Sequence, residues 1–171
     1  MILSDVDIRK AMESGELVID PLQNDTVREN GVDLRLGDEI LRFRNKDIYD
    51  IYSNKADEFV REKGEAFILN PNEHILILIR ERIKLSSNLV GFINLRSTYA
   101  RLGILIPPTI VDAGFEGNLT IGMLGSNFPI KLYPGERIVH LILARTESPS
   151  SKPYSGKYSN KSHIETAHIN L

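Results

Sequence analysis

The sequence contains no cysteine and no tryptophan among its 171 residues. The absence of cysteine excludes a disulfide framework, a thiolate nucleophile and a cysteine-based zinc site. The four histidines also lack the His-Glu-x-x-His spacing of a zinc hydrolase. We therefore do not expect zinc-dependent chemistry from this chain.

A strong net charge and long apolar runs are missing as well. The chain carries 21 basic and 23 acidic residues, for a net charge of −2, so its overall charge indicates no attraction to nucleic acid or to an anionic membrane. No apolar run approaches the roughly 18 residues of a membrane span, and no signal-peptide pattern is present. We expect a cytoplasmic protein that binds neither nucleic acid nor membrane, with any phosphate affinity confined to a local site.

Short apolar and β-branched segments, separated by turns, make up most of the chain. They predict strands at residues 32–36, 39–44, 66–69, 75–79, 89–95, 117–123, 130–133 and 138–144. The first of these alternates apolar and polar residues, which places Asp33 and Arg35 on one face. Helical patterns are confined to residues 4–15 and 97–102. The pattern favours a single all-β sandwich or barrel with a short N-terminal helix.

Two segments depart from this pattern. Residues 45–64 are dense in charge, which predicts an exposed loop. Residues 147–171 are rich in serine, lysine and tyrosine and predict a flexible C-terminal arm, which leaves residues 1–146 as the β domain. Within that domain we assign Phe92 and Phe128 to the core, because an apolar residue in a strand needs no functional reason.

A polar group follows the apolar strand at residues 89–95. Arg96 and Arg101 flank the hydroxyls of Ser97 and Thr98. Arginine presents a planar fork of donors that matches phosphate oxygens, and neighbouring hydroxyls can complete the shell. We name these four residues the Arg96 cluster and predict that they bind phosphate. The alternative is a set of ordinary surface charges at a strand end.

Asp112 follows a second apolar run and begins a turn that contains two glycines. A carboxylate in that position could orient a sugar hydroxyl or deprotonate a water molecule. The alternative is an aspartate that only starts the turn. Together, the Arg96 cluster and Asp112 would supply positive charge and a candidate base to one site.

Three segments resemble consecutive motifs of the dUTPase and dCTP deaminase superfamily. They are RSTYARLG at residues 96–103, VDAGFEG at residues 111–117 and PGERI at residues 134–138. Residues 1–5, 32–37 and 153–158 agree with them, and the outer segments are more similar to the deaminase branch than to the trimeric dUTPase branch. The resemblance implies a distorted jelly-roll barrel, a pyrimidine deoxynucleotide ligand, and a homotrimer with active sites between subunits.

The resemblance also implies a role for individual residues. Arg96, Ser97, Thr98, Phe115, Tyr154, Lys157 and Lys161 would bind substrate, and Asp112 and Arg101 would be catalytic. Tyr154, Lys157 and Lys161 would belong to an arm that closes over the nucleotide of a neighbouring subunit. Lys161 stands where deaminases usually carry glutamine. Mg²⁺ would be held through the substrate phosphates without a direct protein ligand, and Asp33 would position this complex or support the site.

Position 122 decides which reaction we expect. The deaminase branch carries its proton-transferring glutamate ten residues after the aspartate that Asp112 matches, and this chain has Gly122 there. A glycine cannot move a proton, so we expect a dUTP diphosphatase that forms dUMP and diphosphate. A dCTP deaminase or bifunctional enzyme with a substitute group is the alternative, as is a silent nucleotide-binding regulator. The segment 104–111, which we expect to be a hairpin with Pro107 and Pro108 at its tip, is where the family contacts the pyrimidine.

Overall fold

The computed structural model describes residues 1–44, 59–156 and 158–166 of the chain. The helices are α1 (Asp5–Glu13) and α2 (Ser97–Ala100). The strands are β1 (Leu17–Asp20), β2 (Val27–Arg28), β3 (Gly31–Phe43), β4 (Phe59–Lys63), β5 (Phe67–Leu69), β6 (His74–Leu85), β7 (Leu89–Leu95), β8 (Thr109–Val111), β9 (Glu116–Leu124), β10 (Ile130–Leu132) and β11 (Arg137–Arg145). The predicted all-β class with a short N-terminal helix is confirmed. No helix in these ranges is long and apolar enough to cross a membrane.

Helix α1 begins where the sequence predicts it. The Ser4 hydroxyl accepts from the Asp7 backbone N–H at 3.4 Å, and the Asp7 carboxylate accepts from the Ser4 backbone N–H at 3.3 Å, which satisfies two donors at the helix start. Ile8 and Ala11 are fully buried against the rest of the domain. The cap therefore fixes the start of α1, and its apolar face fixes α1 to the sheet.

Strand β3 connects the two parts of the main sheet. Its first residues pair with β11, from Gly31 opposite Ile142 to Arg35 opposite Arg137. From Leu36 onward β3 pairs with β6, with a register irregularity between Leu36 and Ile40, and from Glu39 onward it also pairs with β4. The hydrogen-bonded order is β1-β6-β3-β11-β7-β8, with β9 on β6, and β5 pairs separately with β10. One long strand thus belongs to both layers, and the core of isoleucine, leucine and valine lies between them.

Three sequence predictions about local structure were wrong. Residues 32–36 and 39–44 form one strand, β3, instead of two. The predicted loop at 45–64 contains β4, which pairs antiparallel with β3, while residues 45–58 lie outside the described residues. The two halves of the predicted 104–111 hairpin pair with other strands instead of with each other. Leu105 bridges Leu124, and β8 pairs with β7.

Phe92 and Phe128 were wrongly assigned to the core. Phe92 is 41% exposed and Phe128 is 45% exposed. Phe92 lies on the outward face of β7 opposite Ile110 of β8, which is 56% exposed. Strand alternation decides the burial of β7 here, because its buried residues are those next to Phe92.

Arg35 and Glu81 form an ion pair inside the domain, where the sequence predicted a polar face. Arg35 is 4% exposed and Glu81 is fully buried. The Arg35 backbone N–H donates to Glu81 Oε2 at 2.8 Å, and Arg35 Nη1 donates to Glu81 Oε1 at 3.1 Å. The Thr26 hydroxyl accepts from Arg35 Nη1, and Asp25 pairs with Arg35 Nη2. Two charges removed from water are thereby compensated by close partners.

We expect Glu81→Ala to lower the free energy of unfolding by about 3 kcal/mol, because it leaves the buried Arg35 guanidinium short of a partner. Urea unfolding at a fixed protein concentration would measure the change. Glu29→Ala serves as the control, since Glu29 is exposed and its pair with Arg28 is long at 3.5 Å, so it should change stability by less than about 0.5 kcal/mol. Equal effects from the two variants would contradict the role of the buried pair.

Candidate functional site

The Arg96 cluster lies at the end of β7. Arg96 has extended backbone and precedes the single turn of α2, whose first two residues are Ser97 and Thr98. The side chains of Ser97, Thr98 and Arg101 are on the exposed part of this turn. The predicted short helix is confirmed. The helix carries the two hydroxyls, and the residues that flank it, Arg96 and Arg101, carry the two guanidinium groups.

Asp33 holds Arg96 from the interior side. The Asp33 side chain is 3% exposed, and Arg96 Nε lies 3.0 Å from its Oδ2. Arg137 Nη1 and His140 Nδ1 also approach the same carboxylate, at 3.4 and 2.9 Å. Arg96 Nη1 donates to the Arg137 carbonyl at 3.1 Å. These contacts place the buried Asp33 carboxylate directly against Arg96, while its role in nucleotide binding stays a prediction.

A continuous chain of ion pairs runs from Asp33 into the core. Arg137 Nε lies 3.2 Å from Asp25 Oδ2, and Asp25 pairs in turn with Arg35. Because Arg35 also binds Glu81, we define the ion-pair chain as Glu81, Arg35, Asp25, Arg137, Asp33 and Arg96. It ties the orientation of Arg96 to the buried centre of the fold.

The second group of predicted residues surrounds a cavity of about 810 Å³, which we call the pocket. Asp112, Phe115, Tyr154 and Lys161 all line it. This volume lies within the range of small-molecule sites, and the apolar part of the lining exceeds the polar part, as in most such sites. The pocket therefore has the size and character of a site for a small ligand with an apolar ring.

Asp112 and Phe115 are held by a tight turn. The Phe115 N–H donates to the Asp112 carbonyl at 3.1 Å, which leaves the Asp112 side chain exposed, while Phe115 is only 6% exposed. Gly114 in this turn has a φ of +87°, and a Cβ on it would stand 2.5 Å from Pro153 Cβ. Glycine is thus required both by the backbone conformation and by the close approach of the C-terminal arm.

The described part of the arm packs on its own chain beside the pocket. The Tyr154 N–H donates to the Ala113 carbonyl at 2.8 Å, and the Tyr154 ring lies 6.0 Å from the Phe115 ring. Further along, the Asn118 N–H donates to the Lys161 carbonyl at 2.9 Å, and Ile164 is 2% exposed. Lys157 lies outside the described residues. The arm therefore brings Tyr154 and Lys161 to the pocket that Asp112 lines.

The two predicted groups lie at opposite ends of one strand. The register of β7 with β8 pairs Val111 with Gly91, which places Asp112 beside the start of β7, whereas Arg96 follows its end. Seven residues of strand span about 20 Å. Within a single chain, Asp112 and Arg96 are therefore too far apart to contact the same phosphorus atom.

Several polar residues of the pocket were not predicted as site residues. They are His74, Thr109, Asn118, Thr120, Glu165 and Thr166. The imidazole of His74 lies over Gly122: a Cβ on Gly122 would stand 2.9 Å from His74 Nε2. Glu165 Oε1 lies 2.8 Å from His163 Nε2 and 3.4 Å from Lys161 Nζ. The only sequence signal was Gly122 itself, a glycine within a strand, which often marks close approach of another group.

No group of three or more acidic or histidine side chains within the described ranges could enclose a metal ion. Asp33, the carboxylate associated with Mg²⁺ by the resemblance, already has three cationic or histidine partners. Within the described ranges, the Asp33 carboxylate is therefore already occupied by the protein's own side chains.

Comparison with known proteins identifies the family of the chain. A sequence model described as dCTP deaminase-like matches residues 2–146. The chain is 55% identical over 162 residues to the dCTP deaminase of Desulfurococcus amylolyticus, covering 92% of this chain and 90% of that protein. It is 52% identical over 167 residues to a probable deoxyuridine 5'-triphosphate nucleotidohydrolase of Sulfolobus islandicus rod-shaped virus 1, covering 98% of each.

A solved structure supports the same fold. The dCTP deaminase of Agrobacterium tumefaciens superposes with a TM-score of 0.67 at 20% identity, over 83% of this chain and 46% of that one, so the match spans less than half of the solved chain. Fold and motifs define a member of the dUTPase and dCTP deaminase superfamily, and more particularly the chain belongs to the dCTP deaminase-like family.

Proposed function

We propose that this protein hydrolyses dUTP to dUMP and diphosphate, in a site that binds pyrimidine deoxynucleotides. The observation that carries this choice of reaction is Gly122. It occupies the position of the deaminase glutamate and offers no side chain, and the imidazole of His74 fills the space where a side chain would begin. Without a carboxylate there, the family's route for proton transfer at the pyrimidine ring has no carrier.

The nearby carboxylates do not readily replace that glutamate. Glu116 is bound by Arg82 at 2.9 Å and Lys84 at 3.4 Å, and these contacts, Arg82 foremost, lower its pKa below the ordinary value. Glu165 lines the pocket but is engaged by Lys161 and His163. Asp112 is the one carboxylate of the lining whose side chain has no ion-pair partner in the described parts of the chain. Hydrolysis of dUTP needs only one carboxylate that is free to accept a proton.

In the proposed reaction, Asp112 accepts a proton from a water molecule that attacks the α-phosphorus. The bond from that phosphorus to the bridging oxygen breaks, and diphosphate leaves with the electron pair. Arg96, Ser97, Thr98 and Arg101 donate hydrogen bonds to the phosphate oxygens, where negative charge develops. Phe115 packs on the deoxyribose, and Tyr154, Lys157 and Lys161 of the arm cover the nucleotide. Mg²⁺ bound to the triphosphate would neutralise part of its charge.

We propose that the complete site forms between copies of the chain in a homotrimer. Its support is the separation of about 20 Å between Asp112 and Arg96 along β7. A second copy that places its Arg96 cluster beside the first copy's Asp112 would bring both groups to one substrate. A closed ring would repeat this contact at every site.

Deamination of dCTP is the second candidate, and one finding favours it. Most of the similar curated proteins carry the name dCTP deaminase, including those of Desulfurococcus amylolyticus, Acidianus ambivalens and Metallosphaera sedula. This reaction would require a proton carrier other than residue 122. The chemistry at that position favours dUTP hydrolysis, whereas the names of the relatives favour deamination.

Product analysis separates these functions. We expect purified protein with Mg²⁺ to convert dUTP to dUMP and diphosphate and to release no ammonia from dCTP, because the glutamate is absent. Chromatography of the nucleotides and an ammonia assay would be run on each substrate separately. Ammonia release from dCTP at a comparable rate would replace the proposal by the deaminase, and binding without turnover of either nucleotide would indicate a regulator.

We expect Asp112→Asn to lower kcat for dUTP at least about a hundredfold, because the amide keeps the shape of the side chain but cannot accept a proton. The affinity for an uncleavable dUTP analogue should stay nearly unchanged, as measured by calorimetry. Asp38→Asn provides a control, since Asp38 is an exposed residue away from the pocket lining. A near-normal kcat for Asp112→Asn would remove Asp112 from the role of base.

The shared site predicts complementation. Arg96→Ala and Asp112→Asn proteins should each be inactive, but refolding them together should restore activity, because some sites would combine a normal Arg96 cluster with a normal Asp112. Each variant refolded alone is the control. Light scattering should give three times the 19.3 kDa chain mass. A monomer, or no activity despite proven subunit exchange, would refute this arrangement.

A further inference from the structure

His74 is placed to contact a ligand from the apolar part of the pocket. It is the first residue of β6, pairs with Leu124 of β9, and lines the same pocket as Asp112. Its ring lies 5.1 Å from the Phe43 ring, at an angle of 42°. Phe59, Leu76 and Ile93 also line this pocket. The imidazole is therefore a polar group on a wall that is otherwise mainly aromatic and aliphatic.

The ring nitrogens of His74 have no hydrogen-bond partner in the described parts of the chain, residues 1–44, 59–156 and 158–166. His140 and His163, by contrast, each contact a carboxylate, at 2.9 and 2.8 Å. An unpartnered imidazole that faces a cavity has its donor and its acceptor available to a ligand.

Gly122 creates the space that this imidazole occupies. Built onto Gly122, a Cβ would stand 2.9 Å from His74 Nε2 and 3.5 Å from Cε1, with Pro107 Cγ at 3.8 Å. A methyl group there would push the imidazole away from its present position, because the ring is the end of a flexible side chain and yields more easily than backbone. The position of the ring thus depends on the absence of a side chain at residue 122.

The protonation state of His74 allows its ring both to donate and to accept a hydrogen bond. Partial burial lowers the pKa of His74 below the ordinary value for histidine, although the residue as a whole is exposed. The lowered pKa favours the neutral ring, which carries one donor and one acceptor. A pyrimidine base has two apolar faces and an edge on which donors and acceptors alternate. Aromatic walls match the faces, and a neutral imidazole matches the edge.

We propose that His74 hydrogen-bonds the polar edge of the pyrimidine and positions the base in the pocket, and that Gly122 is required because it makes room for this imidazole. The inference rests on the proposed function only in that a pyrimidine deoxynucleotide occupies the pocket. It assigns the base contact to a side chain of β6 that no motif of the sequence contains. His74 is thus a positioning and specificity residue for either reaction.

Two ligands test this contact: an uncleavable imido analogue of dUTP, and 2-deoxyribose 5-triphosphate, which lacks the base. We expect His74→Ala to weaken binding of the dUTP analogue about tenfold, the effect of losing one hydrogen bond and leaving its partner unsatisfied. Binding of the base-free ligand should be unchanged. His74→Gln, which keeps a donor and an acceptor, should recover part of the loss.

A double-mutant cycle tests the link to Gly122. Gly122→Ala should reproduce the base-dependent loss by displacing the imidazole, and it should add no further loss in the His74→Ala background, because the displaced group is gone. Gly64→Ala is the matched control, since a Cβ there would meet nothing closer than 3.7 Å. Melting temperatures would show that each variant is folded.

The possible failures are distinct. If the wild-type protein binds no pyrimidine deoxynucleotide, both the proposed function and this inference are overturned. If it binds the dUTP analogue, but His74→Ala either has no effect or weakens both ligands equally, only the role of His74 is refuted. Additive losses from Gly122→Ala and His74→Ala would refute the link between the two residues.

Discussion

The buried carboxylate of Asp33 is the constraint on which the candidate phosphate site depends. A carboxylate that is almost fully removed from water is tolerated only with close positive or hydrogen-bonding partners. Asp33 obtains them from Arg96, Arg137 and His140 at 2.9–3.4 Å. Because these residues come from the end of β7 and from β11, the need to neutralise one side chain fixes how both elements meet β3.

The rest of the ion-pair chain extends this constraint through the sheet. Arg137 connects Asp33 to Asp25, and Arg35 connects Asp25 to Glu81 on β6. Asp33 and Arg35 both belong to β3, the strand that pairs with β11 on one side and with β6 beyond its register irregularity. The same strand that joins the layers by backbone hydrogen bonds also joins them by charge. A slip of β3 by one residue would turn both charged side chains to the opposite face and leave their partners unpaired.

Most strands and the single turn of α2 could be predicted from the sequence, because these features depend on residues that are neighbours in the chain. The Arg96 cluster and Asp112 could be named as candidates for the same reason, since each is marked by the residues directly around it in the chain. Contacts between distant residues could not be predicted. Glu81 is 46 positions from Arg35, and nothing local distinguishes it from an exposed strand glutamate. The outward face of Phe92 likewise follows from its pairing in the sheet, which its own segment does not specify.

His74 and Gly122 show the same limit at the pocket. Gly122 was recognised as the absence of a catalytic glutamate, but its physical role follows only from the imidazole that stands 2.9 Å from its missing Cβ. The two residues meet because β6 pairs antiparallel with β9, with His74 opposite Leu124 and Leu76 opposite Gly122. A glycine at this position of β9 therefore leaves room for an imidazole from β6.

The position of the arm bears on how a shared site would be built. The arm was expected to reach a neighbouring subunit, yet its described part packs on the Asp112 turn of its own chain, where Gly114 admits Pro153. Asp112, Phe115, Tyr154 and Lys161 are thus already together in one chain, and the Arg96 cluster is the component that remains about 20 Å away. In the assembly that we propose, a neighbouring copy would need to supply only the rigid end of β7, which the ion-pair chain holds in place. In that assembly the arm already lies on its own pocket, and the neighbour adds only the end of β7, the candidate phosphate site. This arrangement requires less ordering of flexible chain than an arm that must cross between subunits.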